Sequence, residues 1–200
     1  MRNYFIKILM ICTLVTLMQC AGSKTAYFQQ EQLPGLIDSL YQADQATLLI
    51  QPSDSAAVAY QRVIRSNFPA IEKIFRQFGF PGYALAGRKT SEQYFLLVQH
   101  SDFNPEFQLK VLKSMKKEVL KQNASGQNFA FLTDRVEINF GRPQIYGTQV
   151  IMGRNTQIKP CVDPNKLNER RHSIGLPTIE EYLEKCNEVF FMLNPNEKKD

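Results

Sequence analysis

"LTDRVEINFGRPQIYGTQVI", Leu132 to Ile151, is the stretch whose reading decides the fold. Val136, Ile138 and Phe140 alternate with Arg135, Glu137 and Asn139, and this period of two predicts a strand with one apolar and one polar face. "GRP" then supplies turn chemistry, and Gln144 to Ile151 reads as the returning partner. One β-hairpin near 135–151 is therefore expected in an otherwise helical chain, a mainly α (α+β) class. On the returning strand Gln144, Tyr146 and Thr148 share a face, opposite Ile145, Gly147 and Gln149. Gly147 allows close backbone approach or a bulge that re-aims Thr148 and Gln149.

Upstream of this stretch the period is helical. A first helix is expected from Pro34, which suits the first helical position, with Leu36, Leu40, Tyr41 and Leu48 on one spacing. A second is expected over Asp54 to Arg65. Asn67 reads as the cap of a third that runs to Phe78 and closes at Gly79. Thr90 with Gln93 forms a capping-box pattern, so "SEQYFLLVQH" reads as a helix, although Tyr94 to Val98 also fits a buried strand. Asn104 and Pro105 open the clearest helix, with Phe107, Val111, Met115 and Val119 facing the core. Lys110, Lys113, Lys117 and Lys121 line its other face and read as a solvated surface. Downstream, Asp163 and Pro164 cap a helix that stops at Gly175, and Thr178 opens the last one.

The ends carry different signals. Arg2 and Lys7 precede an apolar run of 11 residues, Ile8 to Met18, and small residues follow, which is the layout of a secretory signal. Crossing a bilayer as a helix takes about 20 residues, so a permanent anchor is the weaker reading. "LMQC" resembles a lipoprotein cleavage box, with Cys20 as the lipidated residue and Gln19 where a small residue is usual. The expected organisation is a signal over 1–20, a tether over 21–32, one globular domain over 33–193 and a disordered tail over 194–200. The expected address is outside the cytoplasm, periplasmic or held at the membrane by an N-terminal lipid.

Composition excludes some partners. The chain carries a formal charge of +5, and removing residues 1–20 takes away Arg2 and Lys7 and no acid, which leaves only +3. Without a concentrated basic patch, nucleic acid is not expected as a partner. The expected partners are a membrane through the lipid and a polar small molecule, glycan or envelope protein. Of the four cysteines, Cys161 and Cys186 remain after processing. A disulfide between them would close a loop of about 25 residues, worth about 3 kcal/mol in the chain-entropy model. Two buried free thiols are the alternative.

Catalytic motifs are sparse. There is no G-x-S-x-G elbow, phosphate loop, dinucleotide fingerprint or C-x-x-C, and no cofactor is expected. Three polar groups stand out: His100 with Asp102, Asp134 with Arg135, and Gln144, Tyr146, Thr148 and Gln149. A carboxylate beside His100 would make it a useful base at neutral pH. One H-x-D plus Asp134 falls short of a zinc ligand set, so no metal is expected. His172, after Arg170 and Arg171, reads as the basic end of its helix.

"FGFPGYALAG", "VQHSDFNPEFQ", "FLTDRVEINFGRPQIYGTQ" and "DPNKLNERRHSIGLPTIEEYL" together resemble a bacterial domain family of unknown function, whose members are often exported. Its members show G-W-P…V-G, Q-H-x-D, Y-L-T-D-R-V, Q-x-Y-G-T-Q and a late R-R-x-x-x-G-L, and the resemblance covers roughly Asp44 to Leu183. Phe80 stands for the family's tryptophan and Phe131 for its tyrosine. The resemblance implies that the polar positions are shared, not which activity they serve. Two functions are expected from these residues. The favoured one is a binding or envelope-associated module whose hairpin face, with His100, Asp134 and Arg135, recognises a polar ligand. The alternative is a hydrolase or transferase with His100 as general base beside Asp134 and Arg135.

Overall fold

Helix α4, Arg88–Gln99, is the centre of the molecule because more than half of its residues are buried: apolar Tyr94, Phe95, Leu97 and Val98, and polar Thr90, Ser91 and Gln93. A computed structural model describes residues 27–47 and 54–197. Around α4 lie α1 (Leu33–Ala46), α2 (Asp54–Phe78), the single turn α3 (Tyr83–Ala86), α5 (Pro105–Leu120) and α6 (Gly126–Asn139). The chain ends with hairpin β1 (Val150–Ile151) and β2 (Gln157–Ile158), then α7 (Leu167–Ser173) and α8 (Ile179–Leu193). The fold is mainly α, with one two-stranded antiparallel sheet among the described residues. Among the described residues no helix is long and apolar enough to cross a membrane. The signal segment with Cys20, residues 21–26 of the tether, Leu48 and residues 198–200 lie outside the described residues.

The hairpin is not where the alternation placed it. Residues 135–139 belong to α6, whose N-cap Ser125 accepts from the Asn128 amide at 3.2 Å. The stretch holds two periods at once, and the helical one buries more: Phe129, Leu132, Val136 and Phe140 recur at three and four residues and all join the core. "FGRP" is a helix end rather than a strand turn. Gly141 takes φ +71°, and the amides of Gly141 and Arg142 bond to Ile138 and Glu137 carbonyls. The true hairpin pairs Val150 with Ile158 and Ile151 with Gln157.

Two helix starts also differ from expectation. α2 is continuous through Asn67 and Pro69 because its apolar stripe, Ile64, Phe68, Ile71 and Ile74, does not break there. Asn67 does not cap; its amide crosses to the Leu40 carbonyl at 3.1 Å and ties α2 to α1. α4 begins at Gly87, φ +78°, and not at Thr90. Gln93 makes no capping box and instead donates to Asp38 Oδ1 on α1 at 2.7 Å. Pro34 does start α1, Asn104 caps α5 at 3.1 Å, and Thr178 with Glu181 forms a full capping box on α8. Asp163 makes no side-chain cap; it precedes the 3-10 turn Pro164–Lys166, which leads into α7.

Candidate functional site

The polar residues of the sequence separate into two clusters. The first is built on Asp134, fully buried in α6. Its Oδ1 accepts from the amides of Ile145 and Tyr146 at 2.7 and 2.9 Å, and its Oδ2 from the amide and hydroxyl of Thr148, both at 2.8 Å. The Gln144 carboxamide, also fully buried, closes the same loop. Its Nε2 donates to the carbonyls of Gln149 and Lys159 at 3.0 and 2.8 Å, and its Oε1 accepts from the Gln149 amide at 2.9 Å. Gln149 Nε2 turns inward to Thr148 Oγ1 at 3.2 Å.

Arg171 takes the opposite side of that loop. Buried completely in α7, it donates from Nη1 to the carbonyls of Tyr146 and Gly147 at 2.6 and 3.3 Å, and from Nε to Pro177 at 2.7 Å. The guanidinium lies 4.9 Å from the Tyr182 ring centre, and Tyr182 Oη donates to the Thr148 carbonyl at 2.8 Å. Burial holds the Arg171 pKa below the ordinary arginine range. "QIYGTQ" is thus a loop whose backbone is gripped by a carboxylate on its N–H side and a guanidinium on its C=O side. With Gln144 and Thr148 committed, no open polar face of Gln144, Tyr146 and Thr148 is formed. Tyr146 is half-buried, and burial followed by the charge of Asp134 raises its phenol pKa.

The second cluster forms where α1, α2, α4 and α6 meet. His100 Nδ1 lies 3.0 and 2.9 Å from Asp44 Oδ1 and Oδ2, and Gln45 Nε2 donates to Asp44 Oδ2 at 2.8 Å. Asp44 is 1% exposed and the His100 side chain 17%. A carboxylate only accepts, so Nδ1 carries the ring proton and the lone pair of neutral His100 sits on Nε2. Nε2 makes no hydrogen bond to another described residue. Tyr60 stands edge-on to the imidazole with ring centres 5.8 Å apart. Its phenol is pushed up to about 12, first by burial and then by Asp44; Arg135 opposes this and Asp102 adds to it. Tyr60 is therefore a neutral donor at physiological pH.

Arg135 completes this cluster. Its Nη1 meets Asp102 Oδ2 at 2.6 Å and the Gln99 carbonyl at 3.4 Å. Asp102 Oδ1 accepts from Gln108 and Asn139 at 3.0 and 3.1 Å, so the carboxylate that holds the arginine is itself fixed. Arg135 Nε is buried without an acceptor.

His100, Asp102 and Arg135 are thus brought together, whereas Asp134 and the 144–149 residues serve the loop. His100, Asp102 and Asp134 each face a different partner. No group of three or more metal-ligating side chains gathers among the described residues. Cys161 and Cys186 are free thiols here: Cys161 Sγ lies 3.8 Å from Arg170 Nη2, burial raises its pKa, and no disulfide joins the pair. His172 is exposed in the last turn of α7, as its basic neighbourhood predicts, but its neighbour Arg171 is a core residue. Asp44, Tyr60 and Arg171 escaped the sequence reading. For Asp44 a signal existed, since it continues the stripe Leu33, Ile37, Leu40 at helical spacing, and a carboxylate on an apolar stripe needs a buried partner.

Residues 28–193 match the model of a family of unknown function (DUF6624), and the chain belongs to that family. No curated protein and no solved structure matches it.

Proposed function

We propose that the cluster around His100 is a general-base site and that the protein is a hydrolase or transferase working by single displacement. His100 Nε2 accepts the proton of the attacking group, Asp44 holds the imidazole in the required tautomer, and Tyr60 and Arg135 offer donors to developing negative charge. The observation that carries this reading is the buried Asp44 carboxylate with both oxygens within 3.0 Å of Nδ1 on a histidine that keeps access to solvent. It replaces Asp134 by Asp44 as the carboxylate that serves the base. The hydroxyls flanking the pair in sequence are spent on main-chain carbonyls, Thr47 on Asp44 at 2.6 Å and Ser101 on Leu97 at 3.0 Å. That favours water or a substrate hydroxyl as the nucleophile over a covalent intermediate.

A second reading keeps the same cluster as a recognition site without turnover. It is favoured by the way Gln108 and Asn139 fix the Asp102–Arg135 pair, an arrangement that suits rigid recognition of a polar group. Turnover of chromogenic carboxylic esters, phosphate esters and glycosides by wild type and His100→Gln separates the two. A general base loses about 100-fold or more in kcat on that substitution. No turnover of any substrate by wild type favours recognition alone. Export and lipid attachment at Cys20 remain part of the proposal and rest on the pattern of residues 1–20.

A further inference from the structure

We infer that this site takes a phosphate ester whose oxyanion is held by Arg135. The inference rests on the general-base reading of His100 and adds the substrate class to it. Three observations carry it.

The first is unspent donor capacity. A guanidinium has five N–H groups, and Arg135 commits only Nη1, to Asp102 and the Gln99 carbonyl. Nε is buried without an acceptor, and Nη2 makes no hydrogen bond to any described residue. The side chain is 25% exposed, and Asp102 fixes its orientation. A guanidinium held rigid with Nη2 uncommitted suits an anion better than a neutral carbonyl.

The second is the company Arg135 keeps. Arg135 Nη1 reaches the carbonyl of Gln99, the residue before His100, and the Tyr60 ring stands 5.8 Å from the imidazole, so guanidinium, neutral donor and base lie in one neighbourhood. The third is that the described hydroxyls flanking the His100–Asp44 pair in sequence, Thr47 and Ser101, are turned onto the backbone. Phosphoryl transfer to water or to a hydroxyl on the substrate needs only positioning, a base and charge stabilisation. In the step, His100 Nε2 takes the proton of the attacking O–H as the new P–O bond forms. The P–O bond to the leaving oxygen breaks with its electron pair, and that oxygen gains a proton, the one His100 then releases through solvent.

The test uses the 20–200 chain and two readouts. Inorganic phosphate binding is followed by calorimetry and by the His100 ring signals in NMR. Turnover is followed with 4-nitrophenyl phosphate, bis(4-nitrophenyl) phosphate and a diester bearing a neighbouring hydroxyl. Phosphate is expected to bind wild type, with about a 10- to 100-fold weaker Kd in Arg135→Lys. Phosphate binding unchanged in Arg135→Lys overturns the assignment, as does turnover of carboxylic esters only. His100→Gln is expected to keep phosphate binding and lose turnover. Binding at Arg135 without turnover of any ester in wild type sinks the general-base reading and leaves the anion site standing.

Discussion

Asp134 and Arg171 form no salt bridge, yet both bond to the same three-residue span of backbone: Asp134 takes the amides of Tyr146 and Thr148, and Arg171 the carbonyls of Tyr146 and Gly147. The peptide units between them act as a relay that spaces two buried charges while still compensating them. Removing either partner leaves the other charge buried with its dipoles misaligned.

Asp134→Ala is therefore expected to destabilise the protein by about 3–5 kcal/mol. Chemical denaturation followed by circular dichroism measures this. A loss under about 1 kcal/mol would show that the loop holds its shape without the carboxylate.

Gly147→Ala tests the same loop from the packing side. Gly147 takes φ +66°, and an added Cβ would meet Leu167 Cδ2 at 3.2 Å. The left-handed backbone and the tight contact together are expected to cost about 1–3 kcal/mol. Stability equal to wild type would mean that the loop reshapes freely.

Asp44 acts through His100 and is a positioning residue. Asp44→Asn removes the accepting carboxylate from Nδ1, so the ring nitrogen signals of His100 are expected to shift toward the other tautomer or a mixture. Turnover is expected to fall by about 100-fold or more without a comparable rise in KM. An unchanged tautomer in the folded variant would leave Asp44 a purely structural tie between α1 and α4.

Alkaline pH tests the burial of the phenols. Tyr60 is raised from 10.0 to about 12, and Tyr94, Tyr146 and Tyr182 are raised as well. Between these values the unfolded chain has released protons that the native state still holds, so stability falls as pH rises. It is expected to be full below pH 10 and to decline from 10 to about 12. Tyr60→Phe is expected to flatten that decline by about 1 kcal/mol, discounted for solvent screening at a half-buried group. Urea midpoints across this range decide the sign; a rise with pH contradicts it.

The proposed address has its own measurement. Intact mass of membrane-extracted protein is expected to give a chain beginning at an acylated Cys20. A full-length chain retaining Met1 contradicts export, and an unmodified N-terminus near Ser23 contradicts lipidation alone.

Sequence by itself determined the helical class and several helix ends, because caps and closing glycines act over three or four residues: Pro34, Asn104, Gly79 and Thr178 stand where local chemistry puts them. It also singled out His100, Asp102, Asp134 and Arg135 as polar residues that need partners. What it did not hold is who those partners are. Stretch 132–140 satisfies both a period of two and a helical period, and only packing of Phe129, Leu132, Val136 and Phe140 into the common core selects the helix. That choice turns adjacent residues to different sides of α6, Asp134 to the 145–148 loop and Arg135 to Asp102. The pairing of His100 with Asp44 spans 56 residues, and Arg171 reaches Tyr146 across 25. Such distances are closed by the burial of apolar surface elsewhere, so tertiary structure alone decided which polar residues form a loop clamp and which form a site.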